Sequence, residues 1–160
     1  AVADHLRLNP NVSDQDPIIA IHDGARCLVT KEIVCRTIRH AVSAAPCAAA
    51  IPVKDTIKMT NPAGRVQGTL DRSVLQAIQT PQVARLSLFL PAFSLAQKNG
   101  FVATDDLSVL EAAGIAVDVV AGDERNIKLT TPFDLRIARA ILSDEGSAVI
   151  QSGAVNRHEA

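Results

Sequence analysis

Short aliphatic runs alternate along this chain with longer segments whose apolar positions recur every three to four residues. Ile18, Ile19 and Ile21 form a strand-like run that stops at His22-Asp23-Gly24-Ala25-Arg26. Thr30 is placed to cap a helix over about residues 31–45, with Ile33, Val34, Ile38, Ala41, Val42 and Ala45 as its apolar stripe. Cys47 to Val53 reads as a buried strand of small residues. Lys54 to Asp71 is more polar: two alternating stretches, Thr56-Ile57-Lys58-Met59 and Arg65-Val66-Gln67-Gly68-Thr69-Leu70, flank Asn61-Pro62-Ala63-Gly64, a hairpin signal. Such a hairpin has too little apolar content for a core of its own, which suits an arm that packs on a partner subunit.

Beyond the hairpin, Val74 to Ile78 reads as a strand ended by Gln79-Thr80-Pro81-Gln82, followed by a helix over about 85–98 with Gly100 as terminator. Thr104 is read as the cap of a second helix with Asp105 and Asp106 in its first turn, where carboxylates suit the macrodipole, and Gly114 as its end. Ile115 to Ala121 and Ile127-Lys128-Leu129 read as strands. Thr131-Pro132-Phe133-Asp134 opens a last helix with a variant capping box. Before the first strand, Ala1 to Leu8 reads as the end of a helix and Asn9 to Pro17 as a polar loop; residues after Ser143 read as a solvated tail. Alternating strands and helices predict a three-layer α/β domain with a largely parallel sheet, spanning residues 1–143 with its arm at about 54–71, and a tail over 144–160.

Composition narrows the function classes. The chain has 160 residues, enough for one domain, and is 48% hydrophobic, so it can build a core. Aromatics are only 2%, which removes the usual base-stacking platform, and a net charge of -1 provides no general attraction to nucleic acid or an anionic membrane. No apolar run approaches the length of a membrane span, and the first residues are not a signal peptide. Cys27, Cys35 and Cys47 are odd in number and lack Cys-x-x-Cys spacing, which argues against a zinc site or a disulfide framework and for free thiols in a reducing compartment.

The common nucleotide-binding and hydrolase fingerprints are missing from the chain. What remains is a set of charged motifs at element ends, each with two readings. Asp23 and Arg26 stand just past a strand, where open α/β sheets bind ligands, and equally suit a polar turn. Asp55-Thr56-Ile57-Lys58 and Asp71-Arg72 sit at the roots of the hairpin and suit a solvated ribbon. Thr104-Asp105-Asp106 is an ordinary helix start or a ligand-holding one. Lys128, between two apolar residues, is either a snorkelling edge lysine or an ammonium aimed at a phosphate.

Their order in one chain is more specific than any one of them. His-Asp-Gly-Ala-Arg, Asp-Thr-Ile-Lys, Asp-Arg, Gln-Thr-Pro-Gln, Thr-Asp-Asp and Asn-Ile-Lys-Leu-Thr-Thr-Pro follow one another over residues 22–132. This series resembles the 2-C-methyl-D-erythritol 4-phosphate cytidylyltransferases, and the resemblance extends to about Ile141. It implies a Rossmann-like nucleotidyltransferase fold and transfer of a cytidylyl group from CTP to methylerythritol phosphate, with Mg²⁺ as cofactor and pyrophosphate released, in non-mevalonate isoprenoid biosynthesis. It also implies a homodimer whose hairpin arms reach the neighbouring sites, with no nucleic-acid or membrane partner, in the bacterial cytoplasm or a plastid.

Carried over by position, the resemblance puts Asp23, Arg26, Thr104 and Lys128 in the cleft for methylerythritol phosphate. It puts Thr56 and Arg72 on an arm that reaches the partner's substrate, and Thr80 in the matching Gln-Thr-Pro-Gln segment. Arg72 and Lys128 are the pair assigned to positioning the substrate phosphate; no residue is assigned to a metal. Cys27 stands where the family usually has proline and Phe133 where an acidic residue is common. The family's glycine-rich CTP loop has no counterpart in residues 1–17, so the chain is expected to be the C-terminal portion of such an enzyme, incomplete at its N-terminus and inactive alone. The alternatives are a ribitol 5-phosphate cytidylyltransferase and a non-catalytic dimerising module with this half of the fold.

Overall fold

The computed structural model describes residues 16–155, with side chains through residue 144. The helix expected over Ala1 to Leu8, and most of the loop after it, lie outside the described residues. Four strands form the main sheet: β1 (Ile18–Ile21), β2 (Cys47–Pro52), β5 (Gln76–Arg85) and β6 (Asp118–Ala121), in the order β1-β5-β2-β6. β5 runs antiparallel to both of its neighbours, and β2 and β6 pair in parallel. Three strands therefore point one way and one points back, so the sheet is mixed rather than largely parallel in its pairing.

Side-chain alternation along the strands divides the core in two. Ile18, Cys47, Val83 and Val120 face α1 (Lys31–Ser43), where they meet Ile38 and Ala41. Ile19, Ile21, Ala48 and Ala84 face the other way, against Phe89 and Ala92 of α2 (Leu86–Lys98) and Leu107 and Leu110 beside α3 (Ser108–Ala112). The small residues of β2 let both helix layers approach closely, and Cys47 to Ala50 are buried. Burial and the nearby Asp118 carboxylate push the Cys47 thiol up to about 11, so this sulfur is inert.

The starts of α1 and of the last helix follow the sequence reading closely. Thr30 caps α1 by accepting from the Ile33 amide. Val42, assigned to the apolar stripe, is instead 51% exposed, because the face toward the sheet is carried by Ile33, Thr37 and Ala41. Thr131 and Asp134 exchange bonds at the start of α4 (Pro132–Val155), with Asp134 also accepting from the Thr130 and Thr131 amides. The backbone of α4 stays helical past Ser143, where the tail was placed, through Val155.

Two expectations along β5 and α3 need correction. The strand expected to stop at Ile78 continues through Gln79-Thr80-Pro81-Gln82 to Arg85. Pro81 is tolerated because the register slips between Ala48 and Ala50, opposite residues 79–81, and because β1 pairs only from Gln82 onward. The helix expected to start at Thr104 begins at Ser108; Asp105, not Thr104, accepts from the Ser108 amide. Ile127 to Leu129 is not a strand, although the Leu129 amide bonds the Ala25 carbonyl.

The hairpin forms as expected from β3 (Lys58–Thr60) and β4 (Val66–Thr69). Asn61 Oδ1 accepts from the Ala63 and Arg65 amides, and Gly64 takes the left-handed conformation that the turn requires. Among the described residues, its strands pair with each other and pack on no other element beyond marginal contact, leaving Met59 and Val66 exposed.

Candidate functional site

The C-terminal ends of β1 and β6 and the N-terminal half of β5 meet at one edge of the sheet, where an open α/β fold leaves room for a ligand. A cavity of about 320 Å³ lies there, lined by Asp23, Arg26, Thr80, Thr104, Asp106 and Lys128 together with Ile78, Gln79, Gln82 and Asp105. Five of the seven residues singled out in the sequence therefore converge: Asp23, Arg26, Thr80, Thr104 and Lys128. Thr56 and Arg72 do not join them. Both are exposed on the arm, and Arg72 Nη1 donates to the Lys54 carbonyl at 2.8 Å.

Asp23 is the electrostatic hub. Its Oδ2 lies 3.1 Å from Lys128 Nζ and 3.5 Å from Arg26 Nε. The Lys128 hydrogen bond, aided by the charges of Lys128 and Arg26, holds its carboxyl below the usual carboxylate range. Arg26, only 13% exposed in its side chain, is anchored at its other end by donating to the Asn126 carbonyl at 2.7 Å and the Ile78 carbonyl at 3.4 Å. Its Nε is buried without a hydrogen bond among the described residues, the contact to Asp23 being ionic at that distance.

Asp106 behaves in the opposite way. Burial, and then the charges of Asp105 and Asp23, push its carboxyl above the ordinary value. Asp105 is fully employed: it accepts from Gln82 Nε2 and from the Ser108 amide, each at 2.9 Å. The cavity thus has a cationic wall at Lys128 and Arg26 and an acidic wall at Asp106. One end suits a phosphate, the other hydroxyl groups.

The support beneath this cavity comes from Gln79 and Asn126, which open two of the quoted motifs but were given no role from the sequence. Gln79 Nε2 donates to the Asp123 carbonyl at 2.8 Å and its Oε1 accepts from the Asp123 amide, so an amide side chain mimics a strand pairing with the loop after β6. Asn126, fully buried, donates from Nδ2 to the Thr80 carbonyl at 2.8 Å and to Gln79 Oε1 at 3.3 Å. A buried polar amide is expensive unless it is bonded, so these bonds set the path of the segment that carries Lys128. Gly122 makes the approach possible: a Cβ there would sit 2.3 Å from Gln79 Oε1 and 3.1 Å from the Ala50 carbonyl. The sequence signal for Gln79 and Asn126 was their place at the head of the Gln-Thr-Pro-Gln and Asn-Ile-Lys-Leu-Thr-Thr-Pro motifs.

No group of three or more His, Cys, Asp or Glu side chains converges to hold a metal ion among the described residues. These residues do not build a magnesium cage by themselves.

Solved structures define the class first. This is a nucleotidyltransferase-like α/β fold: it superposes on the crystal structure of 2-C-methyl-D-erythritol 4-phosphate cytidylyltransferase from Thermus thermophilus with a TM-score of 0.71 and 30% identity, covering 78% of this chain and 61% of that one. The Francisella tularensis enzyme of the same name matches with a TM-score of 0.73 and 32% identity over 78% of this chain and 58% of its own. The chain belongs to the 2-C-methyl-D-erythritol 4-phosphate cytidylyltransferase family, whose model matches residues 7–144. Relatives of that name from Bacillus licheniformis and Caldanaerobacter subterraneus subsp. tengcongensis are 44% and 47% identical, each over 82% of this chain. The chain spans 56% and 59% of those two relatives.

Proposed function

We propose that the protein transfers a cytidylyl group from CTP to 2-C-methyl-D-erythritol 4-phosphate and releases pyrophosphate. Family membership supports this reading. The observation that carries it is the convergence of Lys128, Arg26, Asp23, Thr80 and Thr104 on one cavity. In the reaction an oxygen of the sugar phosphate attacks the α-phosphorus of CTP; the new O–P bond forms as the bond to the β-phosphate oxygen breaks. The nucleophile is already an anion, so no general base is required. The obstacle is repulsion between two anions, and fixed cations reduce it. At an effective dielectric near 20, a Lys or Arg about 4 Å from a phosphate charge contributes on the order of 4 kcal/mol before desolvation.

Lys128 and Arg26 are suited to that work because Asp23 holds both in place. Thr104 and the acidic wall face the polyol end of the substrate. Mg²⁺ would be held mainly by the CTP phosphate oxygens, since this ion usually takes one or two carboxylates plus substrate oxygens, and would supply neutralisation of the phosphate charge.

The active form is a homodimer in which the arm of one copy delivers Thr56 and Arg72 to the cavity of the other. Support comes from an arm with exposed apolar residues whose strands make no more than marginal contact with other elements among the described residues. The free thiols Cys27, Cys35 and Cys47 fit the bacterial cytoplasm.

The test is CTP-dependent pyrophosphate release by the protein expressed from its full reading frame, with Mg²⁺ and methylerythritol phosphate. Release is expected, with ribitol 5-phosphate a poor substitute. No release, or faster turnover of ribitol 5-phosphate, overturns the assignment.

A further inference from the structure

His22 belongs to the motif at the end of β1, yet its side chain lies outside the cavity and takes no part in the reaction outlined above. Its ring nevertheless bonds at both nitrogens. Nε2 lies 3.2 Å from the carbonyl oxygen of Arg26, and Nδ1 lies 2.8 Å from Thr80 Oγ1. Thr80 Oγ1 in turn accepts from the Asp23 amide at 3.0 Å. Between these points the chain makes a tight turn closed by the Arg26 amide on the Asp23 carbonyl at 2.9 Å. The imidazole therefore spans the turn: one nitrogen fixes its far end at Arg26, and the other fixes its near end through Thr80.

We propose that His22 is a positioning residue that clamps the 22–26 turn, and so sets both the Asp23 carboxylate that orients Lys128 and the Arg26 guanidinium that faces the substrate phosphate. The tautomer follows from the partners. A carbonyl oxygen can only accept, so Nε2 carries a proton. In the neutral ring Nδ1 is then bare and takes the hydrogen of the Thr80 hydroxyl, whose lone pairs stay available to the Asp23 amide. Asp23 and Arg26 are three residues apart on a turn with Gly24 between them, and no strand or helix constrains residues 22–30. Without the clamp, Thr80 loses the partner that orients its hydroxyl beneath the Asp23 amide, and the carboxylate that orients Lys128 can drift, although the Asn126 and Ile78 carbonyls still hold the Arg26 guanidinium.

The kinetic half of this inference rests on the proposed reaction; the tautomer does not. Nitrogen-15 NMR of the histidine rings at alkaline pH, with His22 identified by its loss in His22→Ala, is expected to show the Nε2–H form. A neutral His22 ring in the Nδ1–H form overturns the clamp whatever the enzyme's activity. In kinetics, His22→Ala is expected to raise KM for methylerythritol phosphate about tenfold, the scale of losing one or two modest hydrogen bonds. KM for CTP and the melting temperature should stay close to the parent, since the side chain is exposed. His22→Asn, which keeps a partner for Thr80, and His22→Gln, which keeps one for the Arg26 carbonyl, should each recover part of the loss. If the parent turns over methylerythritol phosphate while His22→Ala keeps the parent KM, or raises KM for both substrates equally, the positioning role is wrong. If the parent itself does not turn over, it is the reaction that is wrong, and the tautomer measurement decides the clamp alone.

Discussion

The cavity and the arm carry similar polar motifs, but the structure uses them differently. In the cavity, polar groups bond across elements distant in sequence: Arg26 to Asn126, Gln79 to Asp123, Gln82 to Asp105, Asp23 to Lys128. In the arm most bonds stay local, although Lys54 at its root pairs with Glu124. Asn61 serves its own turn, Lys58 Nζ donates to Thr69 across the ribbon at 2.6 Å, and Asp71 caps Ser73. One region is a cavity whose lining is tied together within a single chain. The other presents Thr56, Arg72 and exposed apolar side chains that meet little else among the described residues. Under the proposed function, that difference makes the motif series two half-sites, one prebuilt and one offered outward.

Substitutions rank by how directly they strike that division. Lys128→Ala removes the cation of the prebuilt half and is expected to lower turnover about 100- to 1,000-fold, as for loss of one group that stabilises transition-state charge. The melting temperature should change little, because its side chain is 49% exposed. Turnover within a fewfold of the parent would remove Lys128 from the site. Asn126→Ala strikes the support instead. It leaves the Thr80 carbonyl and Gln79 Oε1 short of a buried donor and should cost about 1–3 kcal/mol in denaturant unfolding. Gly122→Ala should cost a similar amount, about 1–3 kcal/mol, by forcing Gln79 out of its bonds.

The smallest effect is the most diagnostic of the two walls. Asp23 has a lowered folded pKa, so its stabilisation is present above the unfolded value of about 3.9 and is lost as pH falls through the folded one. Asp106 has a raised folded pKa, so its stabilising contribution is complete below the unfolded value and is lost as pH rises through the folded one. Asp106→Asn is therefore expected to raise the melting temperature at neutral pH and Asp23→Asn to lower it, both differences fading in acid. Thermal melts across the acid range that moved both variants in the same direction would contradict the two-wall picture.

Much of this was legible in the sequence, and the exceptions share a cause. Local signals were reliable where local bonds decide: Thr30 caps α1, Thr131 and Asp134 cap α4, and Asn61 with Gly64 turns the hairpin. They misled where a distant partner decides. Pro81 reads as a strand end, yet β5 continues because its neighbours ask for no amide hydrogen there. Thr104 reads as a helix cap, but Gln82 reaches across to bond Asp105 and the Leu107 amide and moves the helix start to Ser108. Thr104 is thereby left facing the cavity. The roles of Gln79 and Asn126 were invisible for the same reason, since their partners lie 44–47 residues away.

The claim that the two half-sites meet across a dimer is tested most directly by mixing two crippled variants. Arg72→Ala and Lys128→Ala, each close to inactive alone, are unfolded together, refolded together and assayed for pyrophosphate release. In a symmetric dimer with the arm acting across the interface, each mixed dimer carries one intact site, and random pairing should recover about a quarter of parent activity. Activity no higher than that of the separate variants, in a sample shown to contain mixed dimers, would mean that Arg72 does not act on the partner's cavity.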